Sequence, residues 1–185
     1  NIDDFKNLNF KNNHKQDWKY ISSNRKLKCA VSWKSINSFK SKYKSLKLKE
    51  LYPLLENSKI DFYNIQYSNE INDLDELYKE YDVSLKNPDG VDTYNDIDGL
   101  MDFIKGCDFT ISVSNTNAHL SGILNKPTFL LLPKIYGTWW YWNNKFDNKN
   151  IWYPSIKVFS QKKIGDWSST IIDLNEHIRK NILFE

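Results

Sequence analysis

The chain has 185 residues, enough for one domain with a core of its own. Its aromatic content of 15% excludes a chain that is disordered throughout, and 26 basic against 23 acidic residues leave a formal charge of only +3, so no bulk polyanion is demanded as a partner. No apolar run approaches the ~20 residues of a membrane span.

The first residues, Asn1-Ile2-Asp3-Asp4, carry no signal-peptide layout and no initiator Met, which reads as a trimmed or processed piece of a longer chain. Residues 1 to 26 are polar with scattered Phe5, Phe10, Trp18 and Ile21, and read as a loose helix or linker. Residues 27–185 form the domain proper. Leu27 to Trp33 is a short apolar run that fits a buried strand. A Lys/Ser loop covers 34 to 45. Leu48, Leu51 and Leu55 recur at helical spacing, with Pro53 kinking that helix or opening it. Asp61 to Tyr67 is a second strand and Asp73 to Tyr81 a short acidic helix. Residues 82 to 95 form a loop around the turn Asn87-Pro88-Asp89-Gly90.

Ile97, Leu100, Met101 and Ile104 then mark the clearest helix, with Asp96 as N-cap and Gly106 just past its end. Phe109 to Val113 is a strand, Asn115 to Leu124 a helix, and Thr128 to Leu132 a strand stopped by Pro133. An aromatic loop runs from Lys134 to Pro154. Ile156 to Ser160 is the last strand. Ser168 to Ile182 closes the chain as a helix capped by Ser168 or Ser169.

Strands alternating with helices, each strand apolar throughout, specify an α/β domain: three layers, Rossmann-like, with a mostly parallel sheet. Ligands of such sheets lie beyond the carboxyl ends of the strands, where two polar turns fall. In Ser114-Asn115-Thr116-Asn117-Ala118-His119 a helix start offers backbone amides and the positive end of its dipole to a phosphate. Thr116 and Asn117 add side-chain donors, and His119 stands one turn on. Simple helix capping by Ser114 or Asn115 accounts for the same residues. The other turn, Trp33-Lys34-Ser35 continuing to Lys40, Lys42 and Lys44, suits a diphosphate and equally suits a solvated basic loop. Its interleaved Phe39 and Tyr43 admit single-stranded nucleic acid, but no RNA-binding signature accompanies them, and nucleic acid is not the expected partner.

Asp96-Ile97-Asp98 resembles a metal-binding D-x-D string, yet its place before a helix favours capping. Cys29 and Cys107 lack the spacing of a zinc site, so no metal and two reduced, buried thiols of a cytoplasmic protein are expected. Thr138-Trp139-Trp140-Tyr141-Trp142 with Trp152-Tyr153-Pro154 is open to three uses: stacking on a base or sugar, a lid on the sheet edge, or a surface for another domain.

The order of these pieces resembles the C-terminal domain of family 9-like glycosyltransferases, the heptosyltransferase relatives often fused to tetratricopeptide repeats. LKCAVSWKS, LYPLLE and FYNIQY resemble its start. The stretch DGLMDFIKGCDFTISVSNTNAHLSGILNKPTFLLLP, Asp98 to Pro133, resembles its signature of strand, D/N-T-x-x-A-H turn, small-residue helix, G/N-K-P and second strand. Its turn here, N-T-N-A-H, is one residue shorter than the longest form. The tail WYPSIKVFSQ…GDW is similar to the repeat-fused branch. The resemblance covers about residues 27 to 175.

The resemblance implies one half of a GT-B fold, the half that binds a nucleotide-diphosphate sugar as donor substrate without metal or other cofactor. Thr116 and Asn117 would then donate to the diphosphate with His119 nearby, and Lys34, Ser35 and Lys44 would face the phosphates. Asn115 stands where many heptosyltransferases carry Asp, which removes a charge. Gln66 and Gln161 fall near strand ends, where they would line the cleft, although plain surface polar positions are the simpler expectation. Transfer would go to an acceptor hydroxyl on a glycan, protein or lipid, with inversion, the charge on the leaving diphosphate being stabilised by amides, Lys and hydroxyls. The general base is expected on the missing N-terminal domain, so this piece is expected to bind nucleotide weakly and to transfer nothing alone. A non-catalytic Rossmann-like module that docks a partner through its Trp-rich loop is the alternative. A sugar-nucleotide epimerase of the same fold fits the order of motifs less well.

Overall fold

The structure, a computed structural model, describes residues 25–36, 41–143, 145–146 and 149–183. The helix or linker expected over residues 1 to 26 lies outside them apart from its last two residues. In chain order the elements are β1 (Leu27–Ser32), α1 (Ser41–Lys44), a 3-10 turn (Leu48–Leu51) running into α2 (Tyr52–Leu55), β2 (Ile60–Asn64), α3 (Ile71–Tyr81), α4 (Ile97–Gly106), β3 (Phe109–Val113), α5 (Thr116–Ile123), β4 (Thr128–Leu132), α6 (Trp140–Asn143), β5 (Lys145–Phe146), β6 (Lys149–Asn150), β7 (Ile156–Ser160) and α7 (Ser168–Asn181).

Five strands form one parallel sheet in the order β2-β1-β3-β4-β7. Successive side chains of a strand point to opposite faces, so each strand feeds two cores. Cys29 and Val31 of β1, Phe109 and Ile111 of β3, and Phe129 of β4 join Leu54, Leu77, Leu174 and Ile178 from the helices on one face. On the other face Ala30 meets Leu100, Ile104 and Leu120, while Leu130 and Leu132 meet Ala118 and Trp142. This is the three-layer, Rossmann-like α/β arrangement expected from continuous apolar strands. It covers β3 and β4 on both sides, and every residue of both strands is buried.

Between β2 and β3 the chain lays α3 on the first face and α4 on the second. In passing it makes a single parallel bridge, Lys86 to Tyr63, at the sheet edge. Asp82 ends α3 with a left-handed φ of 54°, a conformation its short polar side chain tolerates better than most. Asp96 caps α4 as expected, its carboxylate accepting from the Gly99 amide at 2.8 Å; that capping is what the D-x-D string does here.

Other boundaries differ from the sequence pattern. Gly106 is the last residue of α4 rather than the one beyond it, and the turn proceeds through Cys107 in extended backbone. Ser168 and Ser169 lie inside α7, whose N-cap position is Trp167 with no side-chain cap; the carboxylate of Asp166, one residue earlier, accepts from the Ser168 amide at 2.9 Å. Pro53 sits in the first turn of α2, where its missing N–H is harmless. The two expected loops carry local structure: α1 in the Lys/Ser segment, and α6 with the β5–β6 hairpin in the aromatic segment.

A glycine fixes how α5 meets the aromatic segment. A Cβ on Gly122 would stand 2.5 Å from Tyr153 Cγ. Gly122→Ala is therefore expected to destabilise the domain by about 1–3 kcal/mol through overpacking, although alanine is the better helix former. Chemical denaturation reads this directly, and an unchanged midpoint would mean that the Tyr153 ring moves away at no cost.

Candidate functional site at the carboxyl edge of the sheet

The chain runs from β1 to β2 on one side, then returns across β1 to β3 on the other. The crevice of a doubly wound sheet opens at that reversal, beyond the carboxyl ends of the two central strands. Here those ends are Ser32-Trp33-Lys34-Ser35 and Ser114-Asn115-Thr116, the two turns singled out in the sequence.

Asn115 ties them together. Its Oδ1 accepts from the Asn117 amide at 3.0 Å, the Ala118 amide at 3.4 Å and Ser112 Oγ at 3.0 Å. Its Nδ2 donates to Ser32 Oγ at 2.7 Å and to the Lys34 carbonyl at 3.0 Å. One buried amide thus caps α5 and pins the end of β1 to the end of β3. Gln66, just past β2, holds the same end of β1: its Oε1 accepts from Ser32 Oγ and from the backbone amides of Trp33 and Lys34, and its Nε2 donates to the Lys34 carbonyl. Gln66 and Gln161 are both buried, not surface residues. An amide carries donors and an acceptor on one planar group, which suits it to knitting loop backbone where strand pairing stops.

The candidate residues divide by what they face. Lys34 turns to an acidic pair on α3: its ammonium donates to Glu70 and, at 2.9 Å, to Asp73, which also accepts from Trp33 Nε1. Burial pulls the Lys34 pKa down, but the two carboxylates outweigh it and leave it raised. Ser35 is buried, its amide donating to Ser45 Oγ at 3.0 Å. Lys44 is only 4% exposed and reaches the turn itself, Nζ donating to the Ser114 carbonyl at 2.9 Å. Asn117 is buried and its Nδ2 donates to the Ile65 carbonyl at 2.7 Å, fastening α5 to the end of β2. Thr116, at the first position of α5, is exposed. The structure therefore brings Lys44, Asn115, Thr116 and His119 together at one turn. It directs the Lys34 ammonium to α3 and the Asn117 amide into the packing.

His119 lies under the aromatic segment. Its Nδ1 is 3.1 Å from the Tyr153 hydroxyl, and its ring packs among those of Tyr141, Trp142 and Tyr153. Burial, and then the Lys44 charge, lower its pKa. Trp142 is fully buried and donates from Nε1 to Ser114 Oγ at 2.9 Å. Asn150 locks the segment in place: its Nδ2 donates to the carbonyls of Tyr141 and Trp142, and its Oδ1 accepts from the amides of Trp152 and Tyr153. The inner half of the aromatic segment is thus a lid on the start of α5. Its outer half, Trp140 and Trp152 in edge-to-face contact, stays exposed.

Among the described residues no group of acidic, His and Cys side chains could hold a metal ion, and Cys29 and Cys107 are both buried and unbridged. No helix of the described residues is long and apolar enough to cross a membrane. Away from the site, burial and then Lys157 push His177 down to about 4. A histidine whose folded pKa is depressed takes up its proton more readily when unfolded, so the stability it supports is full above about 6.5 and is lost as pH falls toward the folded value. Between pH 6.5 and 5, before carboxylates titrate, stability is expected to fall with pH, and His177→Gln should flatten that slope. NMR titration of the imidazole should find a midpoint near 4; a midpoint near 6.5 would refute the assignment.

No family model matches the chain, and no solved structure matches it. Over 145 residues it is 25% identical to Protein FlbA of Caulobacter vibrioides, a match that takes in 78% of this chain and 24% of that protein. The chain thus spans about a quarter of the length of the curated relative it matches.

Proposed function

We propose that this domain is the donor-binding half of a GT-B glycosyltransferase of the family 9-like type, holding the diphosphate of a nucleotide sugar at the Asn115–His119 turn. The observation that carries the reading is the convergence, at the reversal point of the sheet, of a helix start, the exposed Thr116 and the ammonium of Lys44. Such a turn favours an anion through the helix dipole and an added cation. The order of motifs from Leu27 to Pro133 supports the same reading. Asn115 takes over the cap that an Asp would supply and, being neutral, adds no repulsion to a diphosphate.

In this reading Thr116 donates to a phosphate oxygen while Lys44, held against the Ser114 carbonyl, contributes charge from behind the turn. His119, held by Tyr153, packs beneath that turn and supports its start. Stabilisation of the departing diphosphate is electrostatic. The base that deprotonates the acceptor belongs to the other half of the fold, so this piece alone binds and does not transfer. Thr116→Glu places a carboxylate at the turn and is expected to weaken nucleoside diphosphate binding at least tenfold with the fold intact. Calorimetry tests this, and unchanged affinity would remove the turn from the site.

A second reading has its own observation. Trp140 and Trp152 are 64% and 46% exposed, side by side at the outer edge of the aromatic segment. A non-catalytic module would use that surface to dock a partner, and would show no response to any nucleotide.

A further inference from the structure

The same edge of the sheet has a second opening, on the opposite face from His119. It is a cleft of about 430 Å³ between the segment around α1, the residues after β4 and those after β7. A cleft of that volume lies within the range of small-molecule sites. At its border stand the ammonium-bearing side chains of Lys42, Lys47 and Lys134, the last also donating to the Lys162 carbonyl at 2.8 Å, with one carboxylate, Glu50. Lys42 lies over the ring of Tyr43, 4.9 Å from its centroid, and Tyr43 packs against Tyr136 at 5.2 Å. Apolar lining comes from Ile135 and Ile164.

Gln161 lines this cleft and is 5% exposed. Its Oε1 is occupied, accepting from the amides of Lys134 and Gly165, which orients the group. Its Nε2 has no hydrogen-bond partner among the described residues. A buried donor left unpaired is costly, and native structures rarely keep one without a use for it. Lys34 also lines this cleft, but its ammonium is held by Glu70 and Asp73. Asn115, Thr116 and His119 do not line it, so the cleft opens apart from the turn at Asn115.

We infer that this cleft binds a sugar-sized molecule bearing an oxyanion, either a phosphate or a carboxylate. The oxyanion meets the three ammonium groups, an acceptor oxygen meets Gln161 Nε2, and the ring lies against Tyr43 and Tyr136. An ammonium–oxyanion hydrogen bond is stronger than a neutral one, and a tyrosine face with a polar tip suits a ring that is apolar on its face and hydroxylated at its rim. The inference does not depend on nucleotide binding at the Asn115 turn.

The test is calorimetric titration of the chain with glucose 6-phosphate, glucuronate, glucose and inorganic phosphate, with amide chemical shifts recorded in parallel. Saturable binding of glucose 6-phosphate or glucuronate, tighter than that of glucose or phosphate alone, is expected, and the tighter of the two identifies the anion. The Lys42→Glu/Lys47→Glu pair, both at the surface, should weaken it at least tenfold. Gln161→Glu, which keeps one acceptor but replaces the donor by a second, should weaken it about fivefold or more. Thr116→Glu should change it by less than twofold. Absence of saturable binding by all four probes overturns the inference, as does binding that survives Lys42→Glu/Lys47→Glu. Binding abolished by Thr116→Glu instead would place the anion at the other turn and also overturn it.

Discussion

Replacing Trp142 by Ala should lower the unfolding free energy by about 3–5 kcal/mol, the range for deleting a fully buried aromatic side chain. The indole is 0% exposed, fills the space between β4 and α5, and donates to Ser114 Oγ. Its loss opens a cavity, leaves the Ser114 hydroxyl without that donor and frees the His119 ring on one side, since the two ring centroids are 4.7 Å apart. Trp140, two residues earlier and 64% exposed, provides the control: Trp140→Ala should stay within about 0.5 kcal/mol, as surface substitutions do. Urea denaturation of both variants separates a structural lid from a loosely attached loop. A Trp142 variant that costs less than about 1 kcal/mol would show that the aromatic segment does not pack as described.

Asn115→Ala should cost about 2–4 kcal/mol. The cap of α5 alone is worth about 1 kcal/mol, and the substitution also strips partners from buried Ser32 and from the Lys34 carbonyl, each left with a desolvation penalty of about 1–3 kcal/mol where nothing replaces the bond. Gln66 still donates to the Lys34 carbonyl and limits the loss. Asn115→Asp keeps the cap but loses both Nδ2 donations and sets an oxygen against the Lys34 carbonyl, so it should fall between wild type and Ala, at about 1–2 kcal/mol. Thermal and chemical unfolding rank the three. An Asp variant as stable as the wild type would mean that the link between the ends of β1 and β3 is dispensable.

The strands and the sheet class were legible because β3 and β4 are buried on both faces and carry nothing but apolar and small residues. Asp96 was legible as a cap because its partner amide is three residues away. What escaped the sequence is what depends on distant partners. Gln66 and Gln161 follow strands and look like ordinary polar loop residues; only the return of β1 and β4 beside them makes them buried cross-links. Lys34 reads as a phosphate ligand by position, yet Glu70 and Asp73, about forty residues on, claim its ammonium. Asn117 has a side chain suited to a ligand, and the Ile65 carbonyl takes it. The Trp-rich segment could not be divided by pattern, because its buried Trp142 and exposed Trp140 differ only in which side of a single helical turn they occupy. Asn150, which locks that segment with four hydrogen bonds, had no signal beyond being an Asn in a loop.

Titration of the chain with UDP, GDP, ADP and CMP, read by calorimetry and by the shift of the unfolding midpoint, tests the donor-site reading most directly. A ligand that binds only the native state stabilises it by RT ln(1 + [L]/Kd), about 2.7 kcal/mol at a hundredfold excess over Kd. A selective response to one nucleoside diphosphate is expected, abolished by Thr116→Glu and left in place by Lys42→Glu/Lys47→Glu. No response to any nucleotide by the folded chain, or a response indifferent to Thr116→Glu, would contradict it.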